Sequence, residues 1–595
     1  MPGIFGVIRI EHTLPHSKEN LIDETLERLS ISLRIDDNDK IDLFVDPSGR
    51  FGVGRIGKRH FSGQSWPFQT AAGRVYASGH PSVGGDGTTL QGFYAALIET
   101  PEAILLQASR TGSHRLHYGS WGGYLFFAPE ISALLKLPGA PRDIDLAAFG
   151  VLLGSSQLYR DQTLFAGIKR LVGGTRLRVA GGRRDVEEYW LYRPGASGVR
   201  PYRPRELAHE MADLLRRSIQ RHYGDPQETI LFLSGGADSR ALLAGALAIP
   251  SVAPSDISAV TWIDRTVPGD SDMSVARRIA EITGIRHQMM VRNQVGYGEK
   301  SEWLNERLGG GSNMAFEHPY ELEMMRVLAE QGYKRSIRGD QIIIVRPPCF
   351  NLEQAWRAAN FRRLRDTAAA AQLLTPAYRS DIIDASETVF ADLEQRYADI
   401  SFNCVKDSIW FDSRIQNYIL SATYWRHMYF DERCPIHDDD VLDFMNQTPD
   451  EFRLSREGFR LAAAELWGER PTPPYADTKG LLHLTERLGA GDEVGDYVSR
   501  QFLDTDSGFW ELIDRDAALG LLDNCKTTDV RKKSPLLPAL RSARKMLAKL
   551  SPRLAQDANV AIKRSSVPNV VLLTNVLMLK NWHDRFITGR APDIH

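Results

Sequence analysis

The chain has 595 residues, a formal net charge of −2 and a hydrophobic content of 43%. This length exceeds what one hydrophobic core supports and predicts two domains, while the balanced charge gives no support for a nucleic-acid-binding protein. The four cysteines are far apart and form neither a metal-ligand pair nor a disulfide framework, which predicts a cytoplasmic protein. The most apolar late segment, residues 567–579, is too short and too polar in places to predict a membrane span.

The N-terminal third of the chain consists of short apolar runs separated by glycines, a pattern typical of sheets with tight turns. These runs include Phe51–Gly54, Val75–Gly79 and Trp121–Phe127. Between Tyr192 and Arg205, three prolines and two glycines interrupt the periodic sequence and predict a domain boundary. We therefore expect one domain over residues 1–192, a linker over 193–205 and a second domain over 206–595.

A glycine-rich loop follows the apolar strand Ile230–Leu233 and precedes a helical stretch. The residues predicted to contact a nucleotide here are Leu233, Ser234, Gly235, Gly236, Asp238 and Ser239. The glycines let backbone N–H groups approach a phosphate, the helix start favours an anion, and the serines offer hydroxyl groups. An aspartate repels a bare phosphate, so Asp238 is predicted to bind a Mg²⁺ that bridges the polyphosphate. The alternative is an ordinary glycine turn.

Downstream of this loop, strands such as Ser258–Ile263 and Arg335–Ile343 alternate with helical stretches, which predicts a parallel sheet wrapped by helices. Residues 350–420 are mostly helical and predict a helical insertion. Five aromatic residues occur at helical spacing in this region: Trp356, Phe361, Trp410, Phe411 and Tyr418. Aromatic residues in this pattern usually belong to a core, and the alternative is a wall around a bulky substrate.

Seven segments resemble, in order, the asparagine synthetase superfamily. They are MPGIFGVI at residue 1, FAPEISALLKLPG at 127, TLFAGIKRLVGGTRLRV at 163, LSGGADS at 233, DMSVARRIAEITGIRH at 272, DERCPIHD at 431 and PPYADTKG at 473. The resemblance covers most of the chain and implies an α/β protein. Its N-terminal part would be a glutaminase-like αββα sandwich of the Ntn type, followed by a PP-loop ATP-binding domain with a parallel sheet and helical insertions. ATP and Mg²⁺ are the implied cofactors.

Position 2 departs from the glutamine-dependent members of the family. In those members the residue after Met1 is a cysteine, whose thiolate attacks the glutamine amide with the α-amino group as base. Here the residue is Pro2, which has no side-chain nucleophile. The resemblance therefore implies an inactive glutaminase domain, and the amine that the synthetase half needs would have to arrive with the substrate.

The resemblance also implies a second metal-binding aspartate in a glycine-containing motif on a later strand. The matching residues are Arg338, Gly339, Asp340 and Gln341. The motif is one residue short, and Gln341 replaces the usual glutamate. Gly339 and Asp340 are therefore the implied nucleotide contacts, and Asp238 with Asp340 the implied metal ligands; the alternative is a turn aspartate after a strand.

Three further residues match positions that act, in the family, in the second half-reaction, the attack of an amine on the adenylated carboxylate. Lys479 lies in a segment similar to the family's lysine loop, where a fixed ammonium would stabilise the leaving phosphate and the oxyanion. Asp431 and Arg433 match a Glu-x-Arg-x-Pro block beside the substrate cavity. The carboxylate could orient the amine while Arg433 holds it ionised, and a structural salt bridge is an equal alternative.

Two branches of the superfamily join an adenylated carboxylate to an amine of the same molecule: β-lactam synthetases and lasso-peptide cyclases. We favour the second, a macrocyclase that joins an Asp or Glu side chain to the N-terminal amine of a leader-free peptide. Its implied partners are the precursor peptide, a leader peptidase and a leader-recognition protein. The alternatives are a β-lactam synthetase-like or ammonia-using small-molecule amide synthetase, a degenerate non-catalytic scaffold, and a PP-loop tRNA-modifying enzyme, which the charge and the unpaired cysteines disfavour.

Overall fold

The computed structural model describes residues 2–11, 20–58, 65–196, 198–263, 271–293, 295–340, 348–454, 457–476, 484–488, 492–527 and 568–590. Within these residues, no helix is both long and apolar enough to cross a membrane.

The N-terminal part contains two six-stranded antiparallel sheets. Its strands are β1 (Gly3–Arg9), β2 (Asp39–Val45), β3 (Phe51–Lys58), β4 (Phe68–Gln69), β5 (Arg74–Val83), β6 (Leu90–Glu99), β7 (Ile104–Ala108), β8 (His117–Trp121), β9 (Tyr124–Ala128), β10 (Ile168–Arg170), β11 (Thr175–Ala180) and β12 (Arg183–Glu188). One sheet has the order β10-β8-β9-β1-β3-β2 and the other β12-β11-β7-β6-β5-β4. The helices are α1 (Leu21–Leu33), α2 (Ile131–Leu134) and α3 (Leu146–Ser155).

Strand β1 is apolar from Gly3 to Ile8 because both of its faces are buried. Ile4 and Ile8 point into the core between the two sheets, whereas Phe5 and Val7 belong to the core that also contains the apolar side of α1. Side chains alternate across a strand, so a central strand covered on both faces needs apolar residues at every position. This packing places the start of the chain deep in the first sheet, next to β3 and β9.

The C-terminal part is built on a five-stranded sheet in which all paired strands are parallel. Its strands are β13 (Thr229–Phe232), β14 (Ser258–Ile263), β15 (Arg286–Val291), β16 (Arg335–Ile337) and β17 (Asp431–Arg433), in the order β15-β14-β13-β16-β17. The helices are α4 (Pro204–Tyr223), α5 (Ala237–Leu247), α6 (Asp272–Thr283), α7 (Tyr297–Leu308), α8 (Met314–Glu317), α9 (Glu321–Glu330), α10 (Leu352–Ala358), α11 (Ala368–Ala371), α12 (Arg379–Arg396), α13 (Phe402–Ile409), α14 (Leu420–Arg426), α15 (Asp439–Gln447), α16 (Asp450–Leu454), α17 (Glu457–Trp467), α18 (Leu484–Arg487), α19 (Glu493–Leu503), α20 (Arg515–Thr527) and α21 (Asn569–Phe586).

Helices cover both faces of this parallel sheet. Leu231 of β13 faces a core shared with α4 and α5, whereas Ile230 packs in a separate core with Met325 and Leu328 of α9. The predicted fold class, α/β with antiparallel sheets first and a parallel sheet later, is confirmed. No helix or strand occurs between β12 and α4 among the described residues, and the predicted linker falls in this stretch except for Pro204 and Arg205, which begin α4.

The aromatic residues of the helical region lie in the protein core. Trp356 and Phe361 both pack against Phe390, with ring centroids 5.3 and 5.6 Å apart. Phe411 stacks on Tyr192, and Tyr418 is buried as well. A π-helix, Trp410–Ile419, joins α13 to α14 and carries several of these side chains. The interpretation of this set as core is supported, and the suggested substrate wall has no support from these contacts.

Candidate active site

The glycine-rich loop lies at the carboxyl end of β13, the middle strand of the parallel sheet. Ligands of open parallel sheets bind at this edge. Ser234 N donates a hydrogen bond to Ser239 Oγ at 3.1 Å, and Ser239 Oγ contacts Ser234 Oγ at 3.0 Å. Gly236 N donates to Ser234 Oγ at 3.2 Å, and α5 begins at the next residue. Leu233 is buried immediately before the loop. The predicted strand, loop and helix are therefore formed, with both hydroxyl groups beside the helix start.

Gly235 is held between two segments from elsewhere in the chain. Its N–H donates to Asp272 Oδ1 at 2.9 Å, from the first turn of α6. A Cβ atom at Gly235 would lie 2.6 Å from Ala476 Cβ and 3.0 Å from Asp272 Oδ1, so no side chain fits there. A phosphate that binds this N–H must displace the Asp272 carboxylate. Sequence reasoning recognised Asp272 only as the first residue of a family segment, because nothing local marks it as a partner of the loop.

Gly339 brings the second aspartate next to the first. A Cβ atom at Gly339 would lie 3.1 Å from Asp238 Cβ, so the missing side chain allows the two backbones to approach. Asp340 follows and forms an ion pair with Arg338. Arg338 also lies 3.5 Å from Glu432 Oε1. Asp340 thus follows directly the residue that lies against Asp238, and its carboxylate is already paired with a cation. Gln341 lies outside the described residues.

Arg240 connects the loop to the segment that precedes Lys479. Its guanidinium donates to Gly235 O at 3.1 Å, to Pro473 O at 2.6 Å and to Pro474 O at 2.7 Å. The same group lies 4.4 Å from the ring centroid of Tyr475. Lys479 itself lies outside the described residues, but the chain before it contacts the glycine-rich loop. Sequence reasoning missed Arg240, for which only its position directly after the loop is a signal.

Asp431 and Arg433 lie on β17, away from the loop. Asp431 is level with Arg335 on β16, which is level with Thr229 at the amino end of β13. At about 3.3 Å per residue, Asp431 therefore lies about 16 Å from Ser234 along the strand direction, toward the amino ends of the strands. Asp431 and Arg433 do form an ion pair, at 2.7 Å. The structure brings these two residues together but does not bring Asp431 to the glycine-rich loop.

Asp431 instead contacts the N-terminal part of the protein. Its Oδ1 lies 2.9 Å from His80 Nε2 on β5, and its Oδ2 lies 3.2 Å from Arg335 Nε. Burial raises the pKa of Asp431, but His80 and Arg433 outweigh burial and hold this pKa well below its usual value. The carboxylate is therefore ionised, and its contact with His80 joins the two parts of the chain.

The His80–Asp431 pair lines a pocket beside Pro2. Other lining residues are Ser78, His114 and His427. The rings of His114 and His427 are 4.6 Å apart, and burial lowers the pKa of both, so both imidazoles are neutral near pH 7. The pocket has a volume of about 30 Å³, room for roughly two or three water molecules. It contains no thiol at position 2.

We expect no glutaminase activity from this pocket, and we expect Pro2→Cys to restore none. A thiol at position 2 would supply the nucleophile, but the pocket is small, and His80 and Asp431, 2.9 Å apart, form part of its wall. Glutamate release from glutamine, measured with and without ATP, should stay at the level of heat-treated protein in both the native chain and Pro2→Cys. Pro2→Ala is the matched control. Turnover by the native chain would contradict the proposed inactive domain.

A second carboxylate between the two parts of the protein, that of Asp439, has its pKa shifted in the opposite direction. Asp439 Oδ2 accepts a hydrogen bond from Gly92 N at 2.9 Å, and Arg110 Nε lies 3.6 Å from Asp439 Oδ1. Burial raises the pKa of Asp439 to about 6 despite Arg110. The folded protein therefore binds this proton more tightly than the unfolded chain does. This contribution to stability is present below pH 4 and is lost as pH rises through about 6.

Asp439→Asn should flatten the pH dependence of unfolding between pH 4 and 6 and stabilise the protein at pH 7. The shift from 3.8 to about 6 corresponds to about 3 kcal/mol at most, and lost attraction to Arg110 reduces the gain to about 1–2 kcal/mol. Urea unfolding midpoints at several pH values measure this pH dependence of stability. Asp440→Asn, one residue along the same helix and half exposed, is the control. Identical slopes for the native chain and Asp439→Asn would contradict the assignment.

Comparison with known proteins connects the N-terminal part to one domain family. Residues 80–190 match the model of a glutamine amidotransferase domain. No curated protein matches the chain. Among solved structures, a B. subtilis glutamine phosphoribosylpyrophosphate amidotransferase complexed with ADP and GMP is 12% identical with a TM-score of 0.20, covering 58% of this chain and 83% of that one. An allosteric regulatory enzyme of purine biosynthesis is 12% identical with a TM-score of 0.22, covering 58% and 82%. Residues 80–190 are therefore similar to a glutamine amidotransferase domain.

Proposed function

We propose that this protein is an ATP-dependent, AMP- and pyrophosphate-forming ligase that makes an amide bond. The observation that carries the proposal is the loop from Ser234 to Ser239, with its two serines and the start of α5 at the carboxyl end of the central strand. A strand-to-helix turn with glycines, hydroxyl groups and a helix N-terminus is suited to binding a polyphosphate, once the Asp272 carboxylate leaves Gly235 N.

The donor set of this site fits ATP with Mg²⁺. Ser234, Ser239 and the backbone at Gly235 and Gly236 would hold the phosphates, and Asp238 and Asp340 would hold the metal. Among the described residues, no group of three or more His, Cys, Asp or Glu side chains could bind a metal alone. Mg²⁺ held by two carboxylates takes its other ligands from phosphate and water, as is usual for this ion. The bound nucleotide would supply the adenylyl group that activates a carboxylate.

The segment after Pro474 is proposed to supply a positive charge for the second step of the reaction, the attack of an amine on the acyl-adenylate. Arg240 fixes this segment against Gly235, so a cation that follows it along the chain would lie near the phosphates. Lys479 is the residue we propose for this role. A fixed ammonium there would stabilise the oxyanion that forms when an amine attacks the acyl-adenylate. Asp431 is proposed only as a positioning residue, because it lies at the other end of the sheet.

Within this class we propose that the substrate is a leader-free peptide, closed into a macrolactam between an Asp or Glu side chain and its N-terminal amine. The support is Pro2: without the cysteine nucleophile, ammonia from glutamine is not made in the neighbouring domain, so an amine of the substrate itself is the simplest acceptor. The precursor peptide, a leader peptidase and a leader-recognition protein would be its partners. A small amino acid that closes on itself would satisfy the same argument.

One contact favours a second candidate, a non-catalytic scaffold. The Arg338–Asp340 ion pair neutralises one of the two proposed metal ligands. A scaffold would bind nucleotide or peptide without forming AMP, which separates the two proposals.

The full-length protein should convert leader-free peptides with a free N-terminal amine and an internal Asp or Glu to products lighter by one water. AMP and pyrophosphate should appear in equal amounts with the product. The peptides to test are those encoded by any short reading frame found beside the gene, and the same sequences with an acetylated N-terminus are the matched control, expected to give no cyclic product. ADP and phosphate as products would contradict the mechanism. Cyclisation of free amino acids alone would transfer the proposal to the small-molecule class.

A further inference from the structure

Two arginines are buried together where the N-terminal part meets α14 and the preceding π-helix. Arg115 lies just before β8 and is 6% exposed, and Arg170 ends β10 and is 2% exposed. Both contact Tyr424: the Arg115 guanidinium lies 4.0 Å from the ring centroid, and Arg170 Nη2 donates to the hydroxyl at 3.2 Å. Burial lowers the pKa of Arg115 to about 10 and also lowers that of Arg170. The fold thus concentrates positive charge at one buried point.

The partners of these two arginines are neutral groups. Arg115 donates to Ser421 Oγ at 3.1 Å and reaches Leu308 O at 3.5 Å. Arg170 donates to Gln416 O at 2.7 Å and to Asn417 Oδ1. No ion pair with a described carboxylate forms at either residue, and Nε of each has no hydrogen-bond partner among the described residues.

Two other buried arginines of the chain are paired with carboxylates. Arg453 lies 3.0 Å from Asp407, and Arg426 lies 2.7 Å from Glu321. A buried guanidinium without a counter-charge is strongly destabilising, and two adjacent ones repel each other as well. The Arg115–Arg170 cluster therefore lacks the compensation that Arg453 and Arg426 have.

A small cavity adjoins both guanidinium groups. It has a volume of about 10 Å³ and is also lined by His117, Thr163 and Asn417. His117 Nδ1 lies 3.2 Å from Pro129 O, and burial together with the two arginines holds the pKa of this imidazole well below its usual value. A cavity of this size accommodates one water-sized particle. The described groups around it include two cations and no carboxylate.

We propose that this cavity binds a single small monovalent anion, chloride, held by Arg115 and Arg170. The two guanidinium groups would move apart slightly, because chloride is larger than the water-sized particle that the cavity holds as it stands. The anion would receive the unused Nε–H groups and neutralise part of the buried charge. Because Arg115 and Arg170 belong to the N-terminal part and Tyr424 to α14, the anion would also strengthen the contact between the two parts of the protein. The inference is independent of the proposed ligase activity.

The test compares unfolding temperatures of the full-length protein in chloride and in gluconate at one fixed ionic strength. Raising chloride from 1 to 300 mM should increase the unfolding temperature by about 1–2 °C, because an ion that binds the folded state stabilises it by mass action. Bromide should give the same response. In crystals grown with bromide, anomalous scattering should show a peak between the two guanidinium groups.

Arg170→Gln should abolish the chloride response. Arg110→Gln is the matched control, because Arg110 also lies between the two parts but is paired with Asp443 at 2.6 Å; its chloride response should persist. If Arg170→Gln does not fold, the bromide peak in the native protein decides the question. An unfolding temperature that depends only on ionic strength, or bromide-grown crystals without a peak at this position, would overturn the proposal.

Discussion

Asp238→Asn is expected to reduce the formation of AMP and pyrophosphate by at least about 10²-fold. Asparagine has the same size but no negative charge, so the loop would keep its shape while the proposed metal ligand is lost. Asp238 lies in the first turn of α5, and its Cβ would lie 3.1 Å from a Cβ atom at Gly339, the residue before Asp340. Quantifying both products by chromatography after incubation with ATP and a cyclising peptide measures the effect.

The control for this variant is Asp381→Asn, which changes an exposed aspartate in the first turn of α12. It should retain the activity of the native chain. Asp340→Asn should behave like Asp238→Asn if the shortened motif supplies the second metal ligand. Full activity in Asp238→Asn would refute the proposed metal site, and full activity in Asp340→Asn alone would place the second ligand elsewhere.

Lys479→Ala is expected to remove cyclic product while leaving nucleotide binding intact. The substrate amine is already near the acyl-adenylate, so the remaining barrier is the charge that develops on the carbonyl oxygen and on the departing AMP. Losing one preorganised donor typically costs about 10²- to 10³-fold. Mass spectrometry of a leader-free peptide, following the loss of one water, measures ring closure, and equilibrium dialysis with ATP measures binding.

Lys479→Arg should recover little activity, because a planar guanidinium does not replace an ammonium at a point-charge site. Lys526→Ala, at an exposed lysine near the end of α20, is the matched control and should cyclise at the native rate. A native rate in Lys479→Ala would mean that Lys479 is a surface residue. The catalytic cation would then have to be sought among other residues near Pro473 and Gly235.

The glycine-rich loop could be predicted from the sequence because all the residues that indicate it lie within a short stretch. An apolar strand, two glycines, two serines and an apolar helix follow one another between Ile230 and Leu247, and the structure forms these elements in that order. The parallel sheet was predictable for a similar reason, since its strands alternate with helices along the chain. Such local patterns depend on backbone preferences that neighbouring residues set.

The contacts that complete the site were not predictable in this way. Arg240 binds carbonyl groups at Pro473 and Pro474, and Asp431 pairs with His80, across hundreds of residues of sequence. Family segments identify such residues but do not give strand register. It is the pairing of β16 with β17 that places Asp431 level with Arg335 and far from the loop. The carboxylate therefore serves a contact that no local pattern indicates.

The link from Arg240 to Pro473 has a consequence for the protein during its synthesis. These residues are 233 positions apart, so at about 5–20 residues per second a ribosome needs roughly 10–50 s to make the chain between them. During that interval the emerging loop has its own sequence but lacks the segment that Arg240 holds against it. A nascent chain should therefore complete the surroundings of this loop late, after the second part of the protein has left the ribosome, and fragments that end before residue 473 should carry the motif without the segment that Arg240 holds.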